Sequence, residues 1–331
     1  MSKLDELRDQ LLKLPASSRA DFARELLGSL SDADLSGNLE KAWEEPVEAN
    51  ERRQQQDSYE LTTADHGVEF WSSRRLPFEP RGTLSDARSA LRLALEGLDV
   101  VGSLIAEYSS LDQSFCDIEN VLLYNVGMRS FQKTGANHIV LRRRYTQPPD
   151  SPSGRLFDHH HRYAVVTSPT PRVLMTRARR DFSLPAVSTA SGFWLAARSA
   201  ASSSCNRLRE SDIGVRITLS MSETDRRSLP SVLKPVLDGI VASMHRHDGS
   251  QLDEVAARLA DQTGRAVEEI RELLMTGPAE LGTRTLIRPI RDATQWNPAD
   301  DWLSEIEISL TRADGRSCVA EFYECEMDAL S

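Results

Sequence analysis

The chain has 331 residues, 40% apolar and 27% charged, with a formal charge of −10. That is chain enough for two domains and apolar content enough for a core, while no apolar run reaches the roughly 18 residues of a membrane-spanning helix. The charged opening "MSKLDELRDQ" is unlike a secretory signal, and the four cysteines (Cys116, Cys205, Cys318, Cys325) have no paired spacing, so a cytoplasmic protein with reduced thiols and no membrane association is expected.

Leu4, Leu7, Leu11 and Leu14, then Phe22, Leu26, Leu27 and Leu30, recur at helical spacing, with Pro15 between the two helices. A third helix is predicted over 38–56, anchored by Trp43. The run "LKLPASSRADFARELLGSL" followed by "EKAWEEPVEANERRQQQ" resembles the putative addiction-module component family, small antitoxin-like helical proteins of bacterial toxin–antitoxin loci. The matching residues are Leu14-Pro15, Arg19, Ala23, Leu26-Leu27, Ser29-Leu30, Trp43 and Arg52-Arg53; Pro46 inside the third helix departs from the pattern. The resemblance implies that residues 1–56 form an arm that binds a protein partner through Leu11, Phe22, Leu26, Leu27, Leu30 and Trp43. Residues 57–82 are polar and read as a linker.

From residue 83 the pattern is that of an α+β body with a mainly antiparallel sheet, read either as one domain, 83–331, or as two related halves, 83–190 and 191–331. A helix is predicted over 85–98, a short element over 100–108, and an apolar run, 121–126, that turns at Gly127. Strands are predicted at 138–145, 162–168, 171–180 and 212–221. The Pro-rich stretch between the first two reads as a long hairpin loop. A helix frayed into a serine-rich turn is predicted over 191–211, with further helices from Leu229 to Met244 and in a pair turning at Thr263-Gly264; the strands around Asp314-Gly315 read as a hairpin.

Charge is unevenly spread. Residues 129–180 hold eleven Lys/Arg against two acids, Asp150 and Asp158, so the segment carries +9 and the remainder −19. Arg142, Arg143, Arg144, Arg162, Arg177, Arg179 and Arg180, with Lys234, are the candidates for holding DNA or RNA. The alternative is that these arginines pair with acids from elsewhere in the fold.

The order strand, "DRRSLPSVLKPVLDGIVASMHRHDGSQLDE", closing strands resembles RusA-type endonucleases, Holliday junction resolvases whose acids hold magnesium. Lys234, Leu237-Asp238 and Asp248 match that family's helix and its second terminal acid; His247 stands where the first terminal acid belongs. The two leading acids and the asparagine fall on Ser228, Pro230 and Ser231, a departure that removes the magnesium site there. "DIEN" at 117–120 has the missing form. If the two segments meet, Asp117, Glu119 and Asp248 are the candidate catalytic residues and Asp253 a further ligand of Mg²⁺. The histidine groups, His159–His161 and His245 with His247, read more simply as polar residues than as ligands, and Gly249 as the stop of the preceding helix.

Three functions follow as expectations: a toxin–antitoxin or phage-defence binding protein with a partner arm and a nucleic-acid-facing body; a metal-dependent nuclease with a split carboxylate site; and an assembly protein whose arginines pair internally.

Overall fold

Strict alternation in "IGVRITLSM" buries Ile213, Val215, Ile217, Leu219 and Met221 along one face, and such strands build the body. The computed structural model describes residues 57–325 except 99–101, 113–116, 134–135, 168–174, 201, 205–207, 209–211, 226, 278, 291–292 and 299. The chain divides into two units, 1–56 and 57–331. The arm, with Leu11, Phe22, Leu26, Leu27, Leu30 and Trp43, lies outside the described residues, and only the second unit is described here. No helix among the described residues is long and apolar enough to cross a membrane.

The predicted linker is instead a hairpin, β1 (Tyr59–Ala64) and β2 (Gly67–Ser72), with Phe70 and Trp71 buried. Its polar look comes from half-buried edge positions. Helix α1 (Thr83–Glu96) and β3 (Ser103–Ser109) follow. A crossover with α2 (Met128–Lys133) leads to β4 (His138–Arg144), then β5 (His159–Val166) and β6 (Thr176–Ser183). The element predicted over 191–211, a helix frayed into a serine-rich turn, is helical only in its first part. That part is α3 (Ala190–Ser199), followed by a three-residue strand, β7 (Ser202–Ser204), then β8 (Ile213–Met221). Helix α4 (Leu229–Ser243) leads through β9 (Arg246–His247) to the helix pair α5 (Leu252–Thr263) and α6 (Val267–Met275). Short strands β10 (Thr283–Arg284), β11 (Ile287–Ile290) and β12 (Ala293–Trp296) precede the closing hairpin, β13 (Leu303–Arg312) and β14 (Ser317–Glu324).

Ten strands form one sheet in the order β1-β2-β5-β3-β4-β13-β8-β14-β6-β7. Two pairings are parallel, β3–β4 and β8–β13, and the others are antiparallel. The expected β4–β5 hairpin does not form, because β3 lies between the two strands. Outward from the central β4–β13 pair, the same arrangement appears on both sides: a parallel strand (β3 or β8), then two antiparallel ones (β5 and β2, or β14 and β6). The repeated units in the strand order therefore begin at β2 and β6, not at residues 83 and 191.

One face of the sheet carries the helices and the main apolar core. The other carries a ladder of alternating charge set by register. Glu69, Arg162, Glu107, Arg142 and Glu305 stand opposite one another across five strands, and Glu307, Arg216, Glu321 and Arg179 continue across the rest. Opposite charges facing across strands favour this register over a slipped one.

Helices α3 and α4 approach closely at Gly239. A Cβ there would stand 2.5 Å from the Ala190 carbonyl oxygen and 2.8 Å from the Trp194 nitrogen. Alanine is the better helix former by about 0.5–1 kcal/mol, but the clash is with backbone and costs about 1–3 kcal/mol. Gly239→Ala is therefore expected to destabilise the protein, read as a lower denaturant midpoint. An unchanged or higher midpoint would show that the two helices do not pack at this distance.

Candidate functional site

Register places the site. Ser109 lies opposite Arg144, Arg142 opposite Glu305, and Leu303 opposite Ile213. The C-terminal ends of β3 and β4 therefore share a sheet edge with the N-terminal ends of β13 and β8. The segment leaving β3 carries Asp117, Glu119 and Asn120; the segment entering β13 carries Asp300 and Asp301. The chain at 118–119 is helical and continues into a π-helical turn, Asn120–Tyr124. Such wide turns recur at functional sites. Asp300 opens a 3₁₀ turn, Asp300–Trp302, directly before β13.

Asp117, Asp300 and Asp301 each bring a carboxylate oxygen within 4.8 Å of the other two. Asn120 Nδ2 donates to Asp117 Oδ2 and fixes that carboxylate. Behind them Lys234 of α4 reaches in, its Nζ 2.8 Å from Glu119 Oε1, 3.0 Å from Asp238 Oδ1 and 3.4 Å from Asp300 Oδ2. Glu119 is fully buried, and its second oxygen, Oε2, has no hydrogen-bond partner. Arg284 lies 4.0 Å from Asp301.

Five carboxylates thus cluster around Lys234, with Arg284 at the rim. Burial raises the pKa of Glu119 and of Asp238, against the pull of Lys234. Burial also raises Asp301, against Arg284. Burial and the Glu119 charge push Asp300 up to about 8. Burial works against the charge of Lys234, but Glu119, Asp238 and Asp300 outweigh it and hold its pKa above the ordinary value. Negative charge in excess of the local cations is what a divalent cation relieves when it displaces protons. The three clustered donors are all carboxylates, hard ligands that suit Mg²⁺, Mn²⁺ or Ca²⁺. Together with the orphaned buried oxygen of Glu119, they are a donor set that would suit the Mg²⁺ of the nuclease expectation.

A cleft of about 520 Å³ opens over the carboxylates, walled by Lys234, Arg284, Trp296 and Asn297. A second hollow of about 500 Å³, on the β1–β2 hairpin beside β5, holds Glu69 and Arg162, which pair with each other, and no comparable cluster.

Asp117, Glu119 and Lys234 are thus brought together, but Asp248 and Asp253 do not join them. Helix α4 ends at Ser243, before Gly249, and β9 pairs with β10. Asp248 there accepts from the Ser250 N–H and the Thr285 hydroxyl, and Asp253 pairs with Arg271 at 2.6 Å. Asp300 and Asp301 complete the cluster instead. Their sequence signal was the adjacent acid pair of "NPADDW" at a strand entry; nothing local marked Arg284 or Trp296.

The expected nucleic-acid contacts are mostly engaged within the fold. Arg142 pairs with Glu305 and Glu107, and Arg144 and Arg162 with Glu107. Arg177 pairs with Glu324 and Arg179 with Glu321. Arg180 and Glu280 form a buried pair at 2.6 Å. Arg143 stacks over the Tyr145 ring, and its charge also acts on Asp301 beside the cleft.

The histidine groups are packed into the core. His159 and His161 share the helix-covered face, where Tyr108 O–H and His159 Nδ1 lie 2.7 Å apart, while His160 faces Glu69 on the other side. His247 Nδ1 accepts from the Gly249 N–H, which leaves Nε2–H to donate to the Ile287 carbonyl.

No family model matches the chain, and no curated protein or solved structure matches it.

Burial lowers His161 and His245 to a pKa of about 3. Between that value and the unfolded value of about 6.5, the unfolded chain binds protons that the native state refuses. Stability contributed by their neutral burial is present above about pH 6.5 and is lost as pH falls. The carboxyls with raised pKa act in the opposite direction over this range, so the histidine contribution is read as a difference: between about pH 7 and pH 5 the urea midpoint of His161→Phe is expected to fall less, or rise more, than that of the wild type. The same change in both proteins would remove His161 as a source of the pH dependence.

Proposed function

We propose that the protein is a divalent-cation-dependent phosphodiesterase acting on nucleic acid. The observation that carries this reading is the convergence of Asp117, Asp300 and Asp301 within 4.8 Å of one another, beside the buried Glu119–Lys234 pair. Asp117, Asp300 and Asp301 would hold the cation. A Mg²⁺ or Mn²⁺ ion polarises a phosphoryl oxygen and lowers the pKa of bound water.

The protein's own groups have distinct tasks in this reading. Asn120 orients Asp117. Glu119 and Asp238 keep Lys234 charged and fixed at the cleft wall. Lys234 and Arg284 offer positive charge to the substrate phosphate, the role such residues take in backbone recognition. The acid–x–acid–Asn pattern at 117–120 and Lys234 are features by which the body resembles RusA-type endonucleases, and the reading keeps them while Asp300 and Asp301 take the place assigned to Asp248. Residues 1–56 remain the protein-partner arm that their antitoxin-like resemblance implies. The paired arginines of the sheet serve the fold.

Calorimetric titration with Mn²⁺ or Mg²⁺ and cleavage of labelled DNA and RNA test the reading. Wild-type protein is expected to bind the cation and to cleave. Asn120→Ala, which removes only the orienting amide, should weaken cation binding about 10–100-fold. Asp300→Asn and Asp117→Asn should each weaken it at least as much and abolish cleavage. Absence of cation binding by the wild type, or cleavage that survives in Asp300→Asn, would sink the proposal.

A further inference from the structure

Trp296 closes β12 and lines the same cleft as the carboxylates. It is half-buried, and its indole is backed by the fully buried Trp194, with ring centroids 6.1 Å apart and planes at 49°. Both rings belong to the smaller apolar cluster under α5 and α6. A rigidly backed indole in a mainly polar cleft is a surface for a flat apolar partner. Gln295 and Asn297 adjoin Trp296 in the chain, and Arg284, Lys234 and the carboxylates line the same cleft. A flat ring, amide readers, cations and a carboxylate cluster in one cleft match the parts of a nucleotide: base, base edge, phosphate and scissile ester.

We infer that the cleft takes an unpaired nucleotide of a single-stranded nucleic acid, with its base stacked on Trp296 and its phosphate beside Arg284 and Lys234. The inference rests on the phosphodiesterase reading and narrows its substrate. Two further observations favour a single strand over a duplex. First, a base within a duplex is stacked and paired, and reaches a side chain in a cleft only if it is flipped out. The cleft volume of about 520 Å³ is that of a small-ligand site, with room for a nucleotide. Second, a duplex is held by an extended array of cations along its phosphates. Six arginines that would supply such an array are committed to acids across the sheet and its edge: Arg142, Arg144, Arg162, Arg177, Arg179 and Arg180. Stacking with a short run of cations is the pattern of sequence-tolerant single-strand binding.

The test is the affinity of the full-length protein for a labelled oligothymidine strand, for its RNA counterpart and for a DNA duplex of the same length. Fluorescence polarisation reads it, with Ca²⁺ in place of Mg²⁺ to hold cleavage off. Single strands are expected to bind about tenfold tighter than duplex, or more, and Trp296→Leu to remove most of that advantage. Trp296→Phe keeps a flat ring and should retain it. Duplex binding as tight as single-strand binding would overturn the inference, as would unchanged single-strand affinity in Trp296→Leu. If Trp296→Leu fails to fold, the wild-type comparison of strand and duplex decides alone. Cation binding and cleavage without single-strand preference would overturn this inference while leaving the phosphodiesterase reading intact. Loss of both in the wild type would be the failure of that reading.

Discussion

The antiparallel pairing of β4 with β13 is the constraint on which the rest of the body depends. It sits at the centre of the ten-stranded sheet and joins the two sides whose strand order repeats. Its register, Arg142 opposite Glu305, fixes which loops share an edge. Because β3 runs parallel to β4 and β8 parallel to β13, the exit of β3 and the entrance of β13 meet at one edge. Carboxylates nearly two hundred residues apart in sequence therefore face one another. A shift of β13 by one residue would turn Glu305 and Glu307 from the ladder face toward the core and displace Asp300 and Asp301 with them.

The acidic residues work in two opposite regimes. On the open face the carboxylates of the ladder meet guanidinium groups, and Glu107 serves three of them, Arg142, Arg144 and Arg162. Charge there is locally balanced, and the +9 block is largely neutralised by acids that the sequence places far away. At the sheet edge balance fails. Asp117, Glu119, Asp238, Asp300 and Asp301 crowd around Lys234 with Arg284 at the rim. In one region pairing fixes register; in the other the surplus of carboxylate over cation leaves a buried oxygen of Glu119 without a partner and lifts Asp300 far from its usual range. The basic segment thus does not make a basic face, because charge along the chain says little about charge across a sheet.

Period and turn chemistry were legible in the sequence. Strands β4 and β8, helices α5 and α6 and the closing hairpin follow from alternation, helical spacing and Gly264 or Asp314-Gly315. Three things were not. The β1–β2 hairpin has only Val68, Phe70 and Trp71 among its apolar buried residues, too few to outweigh its polar neighbours. The insertion of β3 between β4 and β5 is a choice of partner, which no local pattern encodes. Half of the carboxylate site was visible as "DIEN" and Lys234, but its completion was sought at the end of α4. That helix stops at Ser243, and β9 leads the following residues toward β10. Asp300 and Asp301 reach the cluster only because β13 lies beside β4, a long-range pairing.

The repeated strand order offers an internal comparison that sharpens the assignment. The topological counterpart of the segment after β3 is the segment after β8, at the opposite edge of the sheet, where β13 ends at Arg312 opposite Met221. There Arg312 donates to the carbonyls of Ser222, Asp225 and Arg227, and Arg227 binds Asp225 and the hydroxyl of Ser188. In that segment Asp225 is held well below the ordinary range, first by its hydrogen bonds with Arg227. Two edges of one architecture thus receive opposite treatment. One is closed by guanidinium groups that satisfy a carboxylate and three carbonyls; the other gathers acids whose charge is not satisfied from within the chain. The fold itself does not require a surplus of acid at such an edge, since the counterpart is built without one. The cluster at Asp117, Asp300 and Asp301 is therefore particular to this edge and not a requirement of the architecture, as the proposed cation site needs.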